Sequence, residues 1–245
     1  SGRVRLCVVS AAFCRSFGLS AMSKLTLGYW SIRGLGQPIR LVLEYGGLEY
    51  TEDLYTLQKK EDGSWDRGMW MDVKYSKGLD FPNLPYLYDG EMKISQTNAI
   101  ILHLAEKIGI AGKDPSERAL AHMLLCQSQD VRSKYVQMSY CRPANFESLK
   151  TEVVSQFLPA KLKELAAFFD KYEGPYFLGK ALTYPDLVFY DLFDQFVNLS
   201  PGCLDEVPSL KAFVHHMESL PAIAAYKKSE KFIDHPYNNL SANFL

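Results

Sequence analysis

Residues 25–47 read LTLGYWSIRGLGQPIRLVLEYGG. Large residues alternate with smaller or polar ones at the start of this stretch, which predicts a β-strand. Two glycines then break the run, Pro38 suits the first turn of a helix, and a Gly-Gly pair suits its end. The aromatic pair Tyr29 and Trp30 therefore lies at the C-terminal end of the strand, which is the edge where α/β sheets tend to bind ligands.

The overall composition describes a soluble globular protein with a sizeable core. The chain has 245 residues, of which 47% are hydrophobic and 22% are charged, enough for one large or two small domains. Its formal net charge is -1, with no long run of either sign, so we expect neither nucleic acid nor a membrane as a partner. The apolar runs are far shorter than the ~20 residues of a membrane-spanning helix.

The cysteines and histidines do not follow a disulfide or metal-site pattern. There are five of each, and the cysteines lack CxxC or zinc-type spacing. The histidines also lack ligand spacing. We therefore expect no bound metal, and the free thiols favour a reducing compartment.

Residues 1–22 have a composition of their own. They contain three arginines with several serines and alanines and no acidic residue, as in a mitochondrial transit peptide. A translated leader or an expression remnant is an equally good interpretation, because Met22 followed by Ser23 resembles a natural start. We exclude this segment from the fold and expect it to be disordered.

The next residues alternate strands and helices. Residues 49–55 predict a second strand that completes a βαβ unit, and residues 58–78 are a long polar connection of the kind that is usually functional. A third strand enters through Pro85, a candidate cis peptide bond, and turns at an Asp-Gly pair into a fourth strand. Thr97 is then predicted to cap a helix that ends near the glycines at 109 and 112.

From Asp114 onward the pattern is helical. Asp114 and Glu117 flank a proline at the start of a long helix that Pro143 is predicted to stop. A second helix is predicted over about 149–172 with a proline kink, and a capping box at 183–186 opens a buried helix. The last helix is predicted over about 209–226, interrupted by a proline.

A βαβ unit followed by ββα, with a proline before the third strand, resembles a thioredoxin-like domain. The predicted fold class is therefore α/β plus all-α, with a thioredoxin-like domain at 23–107 and a helical bundle domain at 113–245. The boundary falls in a glycine-rich stretch. Because no cysteine stands after the first strand, dithiol exchange is excluded.

Three segments make the resemblance specific: residues 29–40 (YWSIRGLGQPIR), 78–86 (GLDFPNLPY) and 94–100 (ISQTNAI). Together they resemble the mu class of the cytosolic glutathione transferases, and the similarity runs from about Lys24 to Lys231. The connection at 58–78 resembles the loop of this class, with a small insertion. The resemblance implies that reduced glutathione is the co-substrate, that no cofactor is needed, and that the reaction is detoxification of hydrophobic electrophiles.

The resemblance also implies a role for Tyr29 as the catalytic residue. A free thiol titrates near pH 8.5, so only a small fraction is thiolate at neutral pH. A phenol hydroxyl that donates a hydrogen bond to the sulfur stabilises the thiolate, and lowering its pKa by about two units requires roughly 2.7 kcal/mol.

The tripeptide carries two carboxylates and one ammonium group, which need complementary partners. Gln96 and Thr97 at a helix N-terminus suit the γ-glutamyl carboxylate, and the family places the glycyl end on the connection and the ammonium on an acidic residue of the dimer partner. The glutathione-binding residues implied by the resemblance are Tyr29, Trp30, Arg67, Trp70, Lys74, Asn83, Leu84, Gln96, Thr97 and Asp130.

The remaining implied residues concern the electrophile and the partner chain. Tyr140 matches the family's second tyrosine, which faces the electrophile, and Ser133 stands where many members carry a bulkier residue. Phe81 resembles the aromatic residue that inserts into the second subunit of a homodimer. The location implied is cytoplasmic, or mitochondrial if residues 1–21 are a transit peptide. A noncatalytic carrier, a protein that retains only the fold, and a glutathione-dependent isomerase are the alternatives.

Overall fold

A four-stranded mixed sheet occupies the first part of the computed structural model, which describes residues 24–245. The segment predicted as a leader lies outside the described residues. The elements of this part are, in chain order, β1 (Leu25–Trp30), α1 (Gln37–Tyr45), β2 (Tyr50–Tyr55), β3 (Gln58–Lys59), β4 (Trp65–Asp66), α2 (Gly68–Met71), β5 (Tyr86–Asp89), β6 (Met92–Ser95) and α3 (Thr97–Ile108). The sheet order is β2-β1-β5-β6, with β1 parallel to β2 and antiparallel to β5.

This arrangement confirms the predicted βαβ-ββα order and the thioredoxin-like fold. Pro38 lies in the first turn of α1, Gly46 ends that helix, and the bond between Leu84 and Pro85 is cis. The connection at 58–78 is more ordered than predicted, because it contains the β3-β4 hairpin, α2 and a 3₁₀ turn at Lys74–Ser76.

The predicted cap of α3 is wrong by one position. Gln96 is the N-cap residue, and Thr97 is the first residue of the helix and is buried. Gln96 has a φ of 79° and is the one residue other than glycine within residues 24–245 with a positive φ. A left-handed backbone at a residue with a side chain is strained, and such strain concentrates at functional positions.

The second part of the chain is all helix, as predicted. Its elements are α4 (Pro115–Ser139), α5 (Pro143–Glu152), α6 (Leu158–Phe169), α7 (Tyr184–Leu199), α8 (Pro208–Ser219) and α9 (Pro221–Lys227). Pro143 begins α5 instead of only ending α4, because proline is favourable in a first turn. The predicted kink near Pro159 is a π-helical turn at Val153–Phe157 that joins α5 to α6.

The helix α7 is the centre of this bundle. It is buried nearly all round and packs against both α4 and α1, so it joins the two parts of the chain. Its predicted capping box is confirmed, since the backbone N–H of Thr183 donates to the Asp186 carboxylate at 2.7 Å. The Phe177 ring packs against Phe189 of α7 and against Phe213 of α8, with ring centroids 4.6 and 5.3 Å apart.

Two properties of the described region bear on partners. None of the helices in residues 24–245 is long and apolar enough to cross a lipid bilayer. The same residues contain no cluster of three or more His, Cys, Asp or Glu side chains that could hold a metal ion.

Candidate active site

The hydroxyl of Tyr29 is set in place by the turn that follows β1. It accepts a hydrogen bond from the backbone N–H of Leu35 at 2.9 Å. The turn closes tightly around the ring, because a Cβ at Gly34 would lie 2.6 Å from the Tyr29 hydroxyl and a Cβ at Gly36 would lie 2.6 Å from a ring carbon. Since the oxygen is the acceptor in this contact, its own proton remains available for donation.

The protonation state of Tyr29 follows from its surroundings. Burial raises its pKa to about 12, although the hydrogen bond from Leu35 opposes the shift. A phenol with this pKa is neutral at pH 7 and can act as a hydrogen-bond donor.

A cavity of about 120 Å³ lies in front of Tyr29, between the sheet and the bundle. Its wall combines the turn after β1 with α4, α7 and the C-terminal tail. The lining residues are Tyr29, Ile32, Gly34, Leu35, Arg132, Tyr135, Val136, Tyr140, Gln195 and Asn238. The structure therefore brings Tyr29 and Tyr140, which are far apart in sequence, to one cavity.

A more open cavity of about 420 Å³ lies at the beginning of α3. It is lined by Lys74, Tyr75, Asp80, Phe81, Pro82, Asn83 and Gln96, so three of the predicted glutathione-binding residues meet here. Thr97 follows Gln96 in the sequence and is the first residue of α3. An ammonium group and a helix N-terminus on one cavity suit an anionic ligand.

The other predicted binding residues lie around these cavities. Trp70 is buried and packs edge-on against Tyr55, with ring centroids 5.3 Å apart. Trp30 is half-buried and Arg67 is exposed. The backbone N–H of Leu84 donates to the Asn83 side chain at 3.0 Å, so in this structure that N–H is already paired.

Asp130 and Ser133 lie on α4 and line neither cavity. Asp130 is exposed on α4, and its role across a subunit interface stays a prediction. Ser133 is also exposed, and its hydroxyl donates to the backbone carbonyl of Gln129 at 2.7 Å. The α4 residues that line the cavity beside Tyr29 are Arg132, Tyr135 and Val136.

Comparison with known proteins shows the family. The models for the N-terminal and C-terminal domains of glutathione S-transferase match residues 25–106 and 129–230. Glutathione S-transferase Mu 3 of Homo sapiens is 40% identical over 226 residues, which cover 92% of this chain and 97% of that protein. The chain belongs to the mu class of the glutathione S-transferases.

Other relatives agree with this assignment. Glutathione S-transferase Mu 5 of Rattus norvegicus is 41% identical over the same 226-residue length, with coverage of 92% and 97%. A solved Pi-class glutathione S-transferase of Onchocerca volvulus matches with a TM-score of 0.78 at 28% identity, covering 89% of this chain and 99% of that one. As a mu-class member, the protein is a glutathione transferase with a thioredoxin-like domain followed by an all-helical domain.

In this mu-class transferase the C-terminal tail closes one side of the cavity beside Tyr29. The tail residues Pro236 and Tyr237 accept hydrogen bonds from the turn after β1, at 3.0 and 2.9 Å. The Asn238 amide donates to the Tyr135 hydroxyl at 3.0 Å, and the backbone N–H of Asn239 donates to the Tyr140 hydroxyl at 2.7 Å. Because the Tyr140 oxygen is an acceptor here, its proton is available to a ligand.

Electrostatics around Tyr140 favour the neutral phenol. Burial raises the pKa of Tyr140, while the hydrogen bond from Asn239 and the positive charge of Arg67 oppose this shift. The charge of Arg67, an exposed residue of the connection, therefore acts on Tyr140.

A buried ionic network connects the elements that form the walls of this mu-class site. Arg33 pairs with Asp194 at 2.6 Å and with Asp191 at 3.4 Å, and Arg132 pairs with Asp191 at 2.7 Å. Burial alone would lower the pKa of Arg33, but the two carboxylates outweigh it and raise the pKa. The turn after β1 is thus tied to α7 and α4 by charge.

No role was predicted for Arg33, Arg132, Gln195 or Asn238, although all four line the cavity or support its wall. The one signal available was that Arg33 stands inside the 29–40 segment that carries the resemblance. The other three are polar residues on helices or in the tail, and nothing in their local sequence indicates burial.

Proposed function

We propose that this transferase joins the thiolate of reduced glutathione to hydrophobic electrophiles, as a detoxification reaction, and that Tyr29 stabilises the thiolate. The observation that carries the proposal is the hydrogen bond from the Leu35 N–H to the Tyr29 oxygen, which leaves the phenol proton for the sulfur. With a pKa of about 12, the phenol donates without losing its proton. No metal or redox cofactor takes part.

The glutathione peptide would lie along the edge of the sheet. Its γ-glutamyl carboxylate would meet Gln96 and Thr97 at the N-terminus of α3, where unpaired backbone N–H groups and the helix dipole favour an anion. Leu84 would pair through its backbone with the cysteinyl residue, as an added strand, with Asn83 beside it. For this the Leu84 N–H must exchange its bond to Asn83 for one to the ligand.

The glycyl carboxylate would be held by the connection between β2 and β5. Lys74 supplies an ammonium group and Trp70 supplies an indole N–H, with Trp30 and Arg67 nearby. Asp130 would reach the ammonium of glutathione on the second subunit.

The electrophile would occupy the cavity between Tyr29 and Tyr140. Its wall is mainly aromatic and aliphatic, and the proton of Tyr140 can be donated to charge that develops on the electrophile in the transition state. Conjugation by substitution or addition needs only these groups.

We further propose a homodimer. Phe81 supports it, because 77% of this aromatic side chain is exposed and aromatic rings are enriched in the buried core of protein interfaces. A cavity of about 380 Å³ between α4 and α6 offers the complementary surface, and its lining residues are Met123, Leu124, Gln127, Glu164, Leu165, Ala167, Phe168 and Lys171. A two-fold dimer would place each Phe81 on the partner's cavity.

Phe81→Glu is expected to weaken this dimer by at least about tenfold, because an ionised carboxylate replaces an apolar group at the interface. Sedimentation velocity over a range of protein concentrations measures the effect. Met71→Glu is the matched control, since Met71 is another exposed apolar residue between β2 and β5. An unchanged sedimentation profile for Phe81→Glu would remove this residue from the interface.

We also propose the division into domains at 23–107 and 113–245 and a cytoplasmic location. The alternative of a mitochondrial location depends on residues 1–21, which lie outside the described region.

Steady-state conjugation of glutathione to an aromatic halide tests the proposed function. Calorimetric titration with glutathione is run alongside, so that binding and turnover are separate readouts. Binding with turnover at a rate well above the uncatalysed reaction supports the transferase. Glutathione binding without turnover would favour the noncatalytic carrier and contradict the proposal.

A further inference from the structure

A row of three residues crosses the sheet beneath the connection between β2 and β5. Asp53 on β2, Gly28 on β1 and Tyr86 on β5 are register partners. Leu27 and Leu87 belong to the core on the α1 and α3 side, and side chains alternate along a strand. Tyr86 and Gly28 therefore face the connection.

Gly28 lets the Tyr86 ring cross β1. A Cβ at position 28 would lie 2.1 Å from Cζ of Tyr86, so the ring occupies the space that any side chain there would need. Because the ring extends across β1, the Tyr86 hydroxyl reaches β2 and donates to the Asp53 carboxylate at 2.6 Å. The Tyr55 hydroxyl lies 2.9 Å from the same Tyr86 oxygen.

Lys77 attaches the connection to this row. Its ammonium group donates to Oδ2 of Asp53 at 3.3 Å and lies 5.5 Å from the ring centroids of both Tyr55 and Tyr86. Its backbone carbonyl accepts from the Tyr88 hydroxyl at 2.8 Å. Among the ion pairs within residues 24–245, Lys77–Asp53 is the one that joins the 58–78 connection to the sheet.

The same two tyrosines hold the other end of the segment. Trp70 packs edge-on against Tyr55 at 5.3 Å and stacks on Tyr86 at 6.1 Å, measured between ring centroids. Trp70 and Lys77, the two ends of residues 70–77, therefore both contact the rings of Tyr55 and Tyr86, whose hydroxyls are hydrogen-bonded to each other. Lys74 lies between those two attachments.

We propose that Asp53 and Lys77 are positioning residues for glutathione, which hold residues 70–77 against the sheet so that Trp70 and Lys74 face the glycyl carboxylate. The role rests on the proposed function. Neither residue lines the cavity beside Tyr29, so their contribution is to glutathione affinity and not to the chemical step. This pair is partly exposed, with side-chain exposures of 42% for Asp53 and 23% for Lys77, and a modest effect is expected.

The test compares variants that remove the charge with one that keeps it. Lys77→Met keeps the aliphatic stem over the rings and loses the ammonium group, and Asp53→Asn keeps an oxygen that can accept from Tyr86. Both should raise the Kd and KM for glutathione about fivefold, while kcat at saturating glutathione and KM for the aromatic halide stay within about twofold. Lys77→Arg keeps the charge and should restore the glutathione Kd to within about twofold of the wild-type value.

Lys60→Met is the matched control. Lys60 is another lysine of the connection, and its contact with Asp66 at 4.0 Å stays within the β3-β4 hairpin. Glutathione Kd and KM should not change in this variant.

Unchanged glutathione Kd in both Lys77→Met and Asp53→Asn would overturn the positioning role. A general destabilisation of the fold would also overturn it. That outcome would show as a lower kcat, a higher KM for both substrates and a lower Tm in the same variants. A wild-type chain that neither binds nor conjugates glutathione would instead overturn the proposed function, and this role with it.

Discussion

Tyr29→Phe is expected to lower kcat/KM for glutathione conjugation by about 100-fold, which corresponds to the roughly 2.7 kcal/mol needed to lower a thiol pKa by two units. The substitution removes one hydroxyl from a ring that the turn after β1 encloses, and the ring itself can stay in place. The fall in kcat/KM should be larger at neutral pH than at a pH above about 8.5, because at the higher pH the glutathione thiol is ionised without the Tyr29 hydrogen bond.

The pH profile of the same variant gives the second readout. In the wild-type protein the rate should level off above a pKa near 6.5, about two units below that of a free thiol, and in Tyr29→Phe this inflection should move up to about 8.5. Ultraviolet absorbance of the bound thiolate measures the shift directly. Full activity with an unmoved inflection in Tyr29→Phe would contradict the mechanism.

Tyr184→Phe is the control for removal of a buried phenol hydroxyl. Tyr184 is almost fully buried, and its hydroxyl has no hydrogen-bond partner in the structure. Its loss leaves no other polar group unpaired, so both activity and stability should stay near the wild-type values. A fall in activity in this variant as large as in Tyr29→Phe would show that the assay reports folding.

Asp186→Ala is expected to lower the free energy of unfolding by about 4 kcal/mol. The fully buried carboxylate accepts from the backbone N–H of Phe177 at 2.8 Å and from that of Thr183 at 2.7 Å. The alanine leaves both N–H groups buried and unpaired and removes the Asp186 half of the capping box at the start of α7. Equilibrium denaturation in urea measures the change.

Asp114→Ala supplies the comparison for an ordinary helix cap. Asp114 accepts one partly buried bond, from the N–H of Glu117 at 2.9 Å, so its loss should cost about 1 kcal/mol. If Asp186→Ala costs no more than Asp114→Ala, the buried capping box does not carry the stability assigned to it.

The ionisation of Asp186 adds a pH dependence with a defined sign. Burial raises its pKa to about 6, against the hydrogen bonds from Phe177 and Thr183. The folded state then binds this proton more tightly than the unfolded state, so its contribution to stability is complete below about pH 4 and is lost as the pH rises through about 6. Wild-type stability measured relative to Asp186→Asn should therefore fall over that range, and a flat difference would contradict the shift.

Local signals account for what could be predicted from the sequence. The helix cap at Asp114, the capping box at 183–186, the prolines in first turns and the glycine that ends α1 each act over about one helical turn, so each can be recognised without knowing the fold. The errors were also local. Gln96 caps α3 in place of Thr97, and Pro143 begins a helix, because a cap or a first-turn proline can be used in more than one register.

For the candidate site, local sequence predicts the strand-turn-helix unit that presents Tyr29, and the family resemblance names the residues that are predicted to bind glutathione. Three features are visible only in the folded chain: the hydrogen bond from the tail to Tyr140, the ionic network of Arg33 and Arg132 on Asp191, and the row of Asp53, Gly28 and Tyr86 under the connection. These contacts join residues that are distant in the chain, and their geometry depends on how the sheet and bundle pack. Local propensity carries no information about such pairings, so only the folded chain shows which polar side chains are buried together and which remain in solvent.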